Sequence, residues 1–163
     1  MITLRPITED DLPDLVGGES PFDQFGPRAP RSEVPSPNLR EAGGLAVCDT
    51  SEGTLLGNVS WHWQQWGPTA ESRNPMIGIW LQSIARGHGA GTDAQQALVD
   101  LFFRHTTVNR VEAGTDVSNV AEQRALTKAG FTREGTTRGA QWRDGSYRDC
   151  YLYSVLRHEW SPS

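Results

Sequence analysis

Two cysteines, Cys48 and Cys150, are too few for a disulfide framework, and neither they nor the four histidines fall into metal-ligand spacing. No metal is expected, and both thiols read as reduced in a cytoplasmic protein. No apolar run approaches the ~20 residues that a membrane span needs. Met1 to Arg5 leads into acidic residues rather than an apolar signal core, so neither a membrane partner nor export is indicated. Positive charge is short as well. Lys and Arg number 15 against 20 Asp and Glu, and the net charge of -5 argues against a nucleic-acid partner. No internal repeat or linker breaks the chain, and its 163 residues suit a single domain, 1–163, with its own core.

What is present is concentrated between Met76 and Phe103. Met76, Ile77, Ile79, Trp80 and Leu81 predict a strand. Ala94, Ala97, Leu98, Leu101 and Phe102 recur at helical spacing. Between them lies Arg86-Gly87-His88-Gly89-Ala90-Gly91-Thr92. Glycines at the mouth of a helix let the backbone approach a ligand, because no Cβ intervenes. The first helical N–H groups lack partners and the macrodipole adds positive charge, so a phosphate or pyrophosphate is the natural occupant. Arg86 would add a full charge. A tight turn without any ligand is the plainer alternative. The run lacks the Gly-Lys-Ser/Thr of a P-loop and is not G-x-G-x-x-G. A dinucleotide site would also want an acidic residue about 20 positions on, at the end of a second strand, and none is there.

Around this stretch, Ile2–Pro6 predicts a strand, and Thr8 with Glu9, Asp10 and Asp11 opens a helix that Gly17 and Gly18 stop. Residues 19–38 carry five prolines and two rings, Phe22 and Phe25. A connection that long is either a lid over a cleft or a loop pinned by its aromatics. Leu45–Cys48 and Leu55–Trp61 predict a hairpin, with Trp61 and Trp63 on one face. A strand over Arg110–Thr115 leads to a capping turn and an Asn119-led helix that ends at Gly130. Strands over Phe131–Gln141 and Tyr147–Leu156 flank an Asp144-Gly145 turn.

Arg86-x-x-Gly89-x-Gly91 resembles the acyl-CoA pyrophosphate loop of the GCN5-related N-acetyltransferase (GNAT) family. The run from Asn119 to Gly130-Phe131 resembles the second signature of the same family, in which an asparagine opens a helix that closes on Gly-Phe. Glu134-Gly135, Arg138-Gly139 and Asp149-x-x-x-Tyr153-Ser154-x-Leu156 are similar to the ribosomal-protein N-terminal acetyltransferase (RimJ/RimL-type) subgroup. The resemblance covers Ile2 to Leu156, most tightly from Ile77 onward.

It implies an α/β single-domain GNAT fold: a mixed, mostly antiparallel sheet with a splayed central parallel pair and helices on both faces. It implies acetyl-CoA (coenzyme A) held by Arg86, Gly87, His88, Gly89, Ala90, Gly91 and Thr92, with Asn119 and Arg124 contributing. The backbone at Trp80, Leu81 and Gln82 would face the thioester. The implied reaction is an N-acetyltransferase reaction by direct attack of a primary amine, either a small molecule or a peptide or protein N-terminus.

One departure stands out. The subgroup's serine three residues after the asparagine is Glu122 here. Tyr153 is preferred to Tyr151 as the acid, with the two expected on opposite faces of their strand. Glu122, Asp149 or a held water is the expected base. Phe22, Phe25, Trp61 and Trp63 are expected to line the acceptor pocket. The alternatives are core packing for the tryptophans and the tyrosines, and a helix-dipole role for Glu122. The missing serine also leaves open a non-catalytic CoA-binding sensor or scaffold, and pocket depth leaves open a longer acyl group. The sequence does not fix oligomeric state, and a homodimer is compatible with it.

Overall fold

A computed structural model describes residues 1–27 and 29–162. The described residues build seven strands: β1 (Ile2–Pro6), β2 (Gly43–Asp49), β3 (Leu55–Gln65), β4 (Arg73–Leu81), β5 (Arg110–Asp116), β6 (Thr132–Arg143), which is polar and largely exposed, and β7 (Ser146–Leu156). They form one sheet in the order β1-β2-β3-β4-β5-β7-β6. Helix α1 (Ala90–His105) links β4 to β5, and α2 (Val120–Lys128) links β5 to β6.

Every neighbouring pair is antiparallel except β4 and β5. That parallel pair meets at two positions, Met76 with Glu112 and Ile77 with Ala113. Beyond them β4 runs to Leu81 and β5 to Asp116 without pairing, so the centre of the sheet opens as a wedge. The mixed sheet with a splayed parallel pair is the arrangement the resemblance implies. Its closed end is locked on the other face by Glu112, which is fully buried. Glu112 accepts from Trp66 Nε1 at 2.8 Å and Arg110 Nε at 2.6 Å.

The core lies on the α1 face. Val59, Trp61, Ile77, Val111, Ala113 and Val155 from the sheet meet Leu98, Val99, Phe102 and Phe103 from α1. Trp61 and Trp63 both set their edges against Phe102, at ring-centroid distances of 5.5 and 6.1 Å. The C-terminus of α1 is held by Arg157, whose guanidinium donates to the carbonyls of Phe103, Thr106 and Val108 at 2.8, 2.8 and 2.9 Å. Helix α2 ends as its sequence suggests. Gly130 takes φ 95°, while the Gly130 and Phe131 N–H groups return to Thr127 and Leu126. The Asp144-Gly145 turn has φ of 51° and 74°, the two positive values of a type I′ hairpin.

Three details differ from the sequence reading. Leu126 and Ala129 of α2 join the same core as α1, so both α-helices cover one face. The other face receives Ile7, Leu12 and Leu15 from the segment after β1, which is a short 3-10 helix over Glu9–Asp14. Pro13 inside that segment removes a donor that an α-helix would need. Tyr151 and Tyr153, expected on opposite faces, pack into the same cluster, because residues two apart on a strand share a face.

Phe102 is completely buried beneath two tryptophans. Phe102→Ala is expected to destabilise the fold by about 3–5 kcal/mol in chemical denaturation. A loss below about 1 kcal/mol would contradict this account of the core.

Candidate functional site

The wedge between β4 and β5 becomes a site because three further segments converge on its open end. The turn before α1, the first turns of α2, and the Ser20–Phe25 part of the proline-rich loop all face it. Two adjoining cavities result. The first, about 380 Å³, lies between the end of β4, the glycine turn and α2. The second, about 270 Å³, fills the wedge itself between Ile77–Ile79 and Ala113–Asp116.

The glycine turn faces the first cavity with backbone rather than side chains. Gly87 and Gly89 take φ of 79° and 89°, and an added Cβ at either would meet nothing within 4 Å. Gly89 is the N-cap of α1, and the first intrahelical bond runs from Asp93 N–H to Gly89 O at 3.1 Å. The N–H groups of Ala90, Gly91 and Thr92 therefore precede the helical ladder. Arg86 folds back to donate from Nε to Leu81 O at 2.9 Å, which closes the turn while Arg86 still lines the cavity. Arg124 and Lys128 of α2 add two more cations to the same wall. Open backbone donors, a helix N-terminus and three cations fit an anionic phosphate ligand.

Glu122 stands in the first turn of α2 and lines both cavities. Its N–H is capped by Asn119 Oδ1 at 3.3 Å, and its carboxylate accepts from Gln95 Nε2 of α1 at 2.7 Å. Burial pushes its pKa up to about 7, against the smaller lowering effect of the Gln95 hydrogen bond. A carboxyl poised there exchanges a proton near neutrality.

A roof closes the wedge through Arg143, at the end of β6. Its guanidinium pairs with Asp116 at the end of β5 and donates from Nη1 to Pro21 O at 2.7 Å. It also sits 5.1 Å from the centre of the Phe22 ring. Asp144 N–H adds a bond to Gln24 O at 2.8 Å. Burial pushes the Asp116 carboxyl up, but Ser118 and Arg143 together outweigh it and hold the pKa below the usual value. The proline-rich loop is thus clamped to the β6–β7 hairpin, with Phe22 and Phe25 on the wedge cavity.

Trp80, Leu81, Arg86, Gly87, Gly89, Gly91, Thr92, Asn119 and Arg124 line the first cavity, whereas Gln82, His88 and Ala90 do not. Gln82 instead donates its N–H to Leu56 O, His88 faces solvent, and Ala90 is buried. Trp61 and Trp63 belong to the core and reach neither cavity, since their strand face is the α1 face. Tyr153 is buried there too and lines a separate groove with Lys128 and Arg133. Burial pushes its phenol pKa up. Asp149 is exposed and braces the irregular part of β6, accepting from Gly139 N–H at 2.7 Å. Sequence reasoning missed Gln95, Asp23, Asp116 and Arg143. Gln95 alone left a trace, as a polar residue on the apolar face shared by Leu98, Val99 and Phe102.

Fold and site together define a split-sheet domain in which a turn suited to an anion stands beside a buried carboxyl. The acetyltransferase (GNAT) domain model matches residues 1–132, and the chain belongs to that family. The chain is 34% identical over 112 residues to Probable N-acetyltransferase YjcK of Bacillus subtilis (strain 168), covering 69% of this chain and 60% of that protein. It spans between 51% and 60% of the length of three curated relatives that it matches. Among solved structures it is similar to the ribosomal-protein-S5-alanine acetyltransferase of Vibrio fischeri, at TM-score 0.65 and 24% identity over 76% of this chain and 66% of that one. The spermidine N-acetyltransferase of Vibrio cholerae, solved with CoA and spermine, superposes at TM-score 0.73 and 17% identity over 97% and 96% of the two chains. At such identities these structures bear on the fold alone.

Arg143→Met would leave Asp116 buried without its cation and untie Pro21. We expect a loss of about 3–5 kcal/mol in chemical denaturation, with faster proteolysis within residues 19–27. Adding Asp116→Asn should recover much of that stability, because the uncompensated charge is then gone.

Proposed function

We propose that the chain is a single domain over 1–163 that acts in the cytoplasm as an N-acetyltransferase, moving an acetyl group from acetyl-CoA to a primary amine on a small molecule or a peptide N-terminus. The observation that carries this reading is the junction itself. An anion-binding turn and a proton-accepting carboxyl face the same split in the sheet. Two free, buried cysteines suit a reducing compartment.

Acetyl-CoA, when bound, supplies an activated thioester. The glycine turn with Arg86, Arg124 and Lys128 would hold its phosphates. Beyond Ile77, β4 stays paired to β3 but has no partner on its β5 side, and N–H groups on that side can stabilise an oxyanion in the wedge. Phe22 and Phe25 roof the cavity and keep water out. Glu122, ionised above its pKa near 7, takes the proton that the attacking amine must lose. The same proton is then at hand for the departing sulfur, the task the subgroup's serine hydroxyl would otherwise perform.

Calorimetric titration of acetyl-CoA is the first test, with Gly91→Trp as control. Gly91 has no strained φ, and its Cβ would point at Leu81 and Ile79 at 3.6 and 3.9 Å, so a large side chain fills the channel without distorting the turn. Saturable binding lost in the variant supports the reading, followed by thiol release with a panel of amines. No binding at millimolar acetyl-CoA would sink it.

Glu122 gives a pH dependence of definite sign. Corrected for ionisation of the acceptor, kcat/KM should rise with pH through a midpoint near 7 and then level off. Glu122→Gln should lose that limb and roughly 10²–10⁴ in rate. Gln95→Ala removes a donor that favours the carboxylate, so the limb should move to higher pH. An unchanged profile in Glu122→Gln would remove Glu122 from the mechanism.

A further inference from the structure

On β3, the residues that alternate with Val59 and Trp61 point away from α1, and Asn58 and Ser60 are two of them. Both line a third cavity, of about 390 Å³, on the sheet face opposite α1, together with Leu15, Phe25 and Trp80. Asn58 is only 4% exposed, yet its side-chain amide makes no hydrogen bond among the described residues. Its amide atoms are not sealed from the cavity, unlike the unpartnered indole nitrogen of Trp80 opposite it on β4. Asn58 therefore holds out a donor and an acceptor that the fold itself leaves unused. We propose that the third cavity receives the body of the acceptor. Asn58, helped by Ser60, selects acceptors that carry an uncharged group able both to donate and to accept hydrogen bonds, a hydroxyl or an amide. This rests on the acetyltransferase reading above.

The third cavity adjoins the wedge, where the amine must arrive. Gly78, the first residue of β4 beyond the parallel pairing, lines both, as do Asp23, Phe25 and Ile79. On the β3 side, Gly78 pairs with Ser60 and Trp80 with Asn58. A Cβ at Gly78 would stand 3.2 Å from Ser60 Oγ, so the missing side chain keeps this edge of the floor clear. An acceptor can thus place its nitrogen by Glu122 and its polar end on Asn58. A buried amide without a partner is unfavourable, and an apolar side chain would suit the adjoining cluster of Ile7, Leu15, Ala46 and Cys48 better. A ligand that hydrogen-bonds there offsets that cost, whereas an alkyl group of the same size leaves the amide unpaired. A charged group is disfavoured at that depth. The floor is neutral, and the wall carries one residue of each sign, Asp23 and Arg31.

The test uses two pairs of primary amines matched in size: 3-aminopropan-1-ol against butylamine, and 3-aminopropanamide against 3-methylbutylamine. Turnover is followed as thiol release from acetyl-CoA, with kcat and KM separated, and binding by calorimetry on the whole protein with CoA. Wild type should favour the polar member of at least one pair by about tenfold or more in kcat/KM, mainly through KM. The pair that shows the preference tells hydroxyl from amide. Asn58→Leu and the smaller Asn58→Ala should both remove it, and Ser60→Ala should weaken it. Acetyl-CoA affinity, retained in all three variants, reports an intact fold. Equal handling within both pairs, a preference that survives both Asn58 variants, or no amine binding overturns the proposal. Failure of the acetyltransferase reading shows differently: calorimetry gives the Asn58-dependent preference, yet no amine releases thiol.

Discussion

Two residue pairs hold the middle of this sheet together, and the site exists because there are only two. Parallel strands joined by a crossover helix ordinarily pair along their length. Here pairing between β4 and β5 stops after Ile77 and Ala113, and Gly78 and Gly114 follow immediately on the two strands. Neither contributes a side chain to bridge the gap. The closed end is tied by Glu112 with Arg110 and Trp66, and Arg110 also forks over Glu134. Because the strands part toward their C-terminal ends, both following helices begin at the gap. Their N-terminal dipoles and unladdered N–H groups therefore point toward one place.

A split sheet would fill with water if it had no roof. The roof is assembled from segments far apart in the chain, with Arg143 reaching Pro21 across 122 positions. The Arg143–Asp116 pair is buried on both sides, each side chain 5% exposed. Burying such a pair is expensive, and an apolar replacement is often no less stable. What an ion pair supplies here is a fixed geometry. It joins the end of β5, the end of β6 and the loop, and so sets the height of the roof over the wedge.

The fold was largely legible because its signals are local. Period-two alternation, the glycine turn, the Gly130 cap and the Asp144-Gly145 turn each act within a few residues and each appears where expected. The family signatures supplied the order of elements, and the strands and α-helices follow it. Signals that depend on three dimensions were misread or silent. Trp61 and Trp63 could have faced a ligand or a helix, and only the position of Phe102 decides between them. Tyr153 matched a motif yet lies in the core, since the strand parity that carries Val155 inward carries Tyr153 with it. Asp23 and Arg143 have no periodicity to reveal them, and their meaning comes from contacts that no short window contains.

Charge is sorted along the cleft more sharply than the net charge of -5 suggests. Arg86, Arg124 and Lys128 stand on the cavity at the glycine turn, whereas the wedge cavity has carboxylates and no cation on its wall among the described residues. On the proposed reading, one end attracts the polyanionic cofactor and the other attracts the cationic acceptor. Glu122 sits on the border, belonging to both walls. On the same proposed reading, its surroundings suit a carboxyl to the place where the resembling subgroup has a serine. Its largely buried position disfavours the negative charge, and Gln95 offsets only part of that. A fully solvated glutamate at the same position would be a weaker base, and less able to take the proton from the amine in the first place. Burial keeps the two protonation states close in free energy, and that balance suits a group that must first take a proton and then give it up.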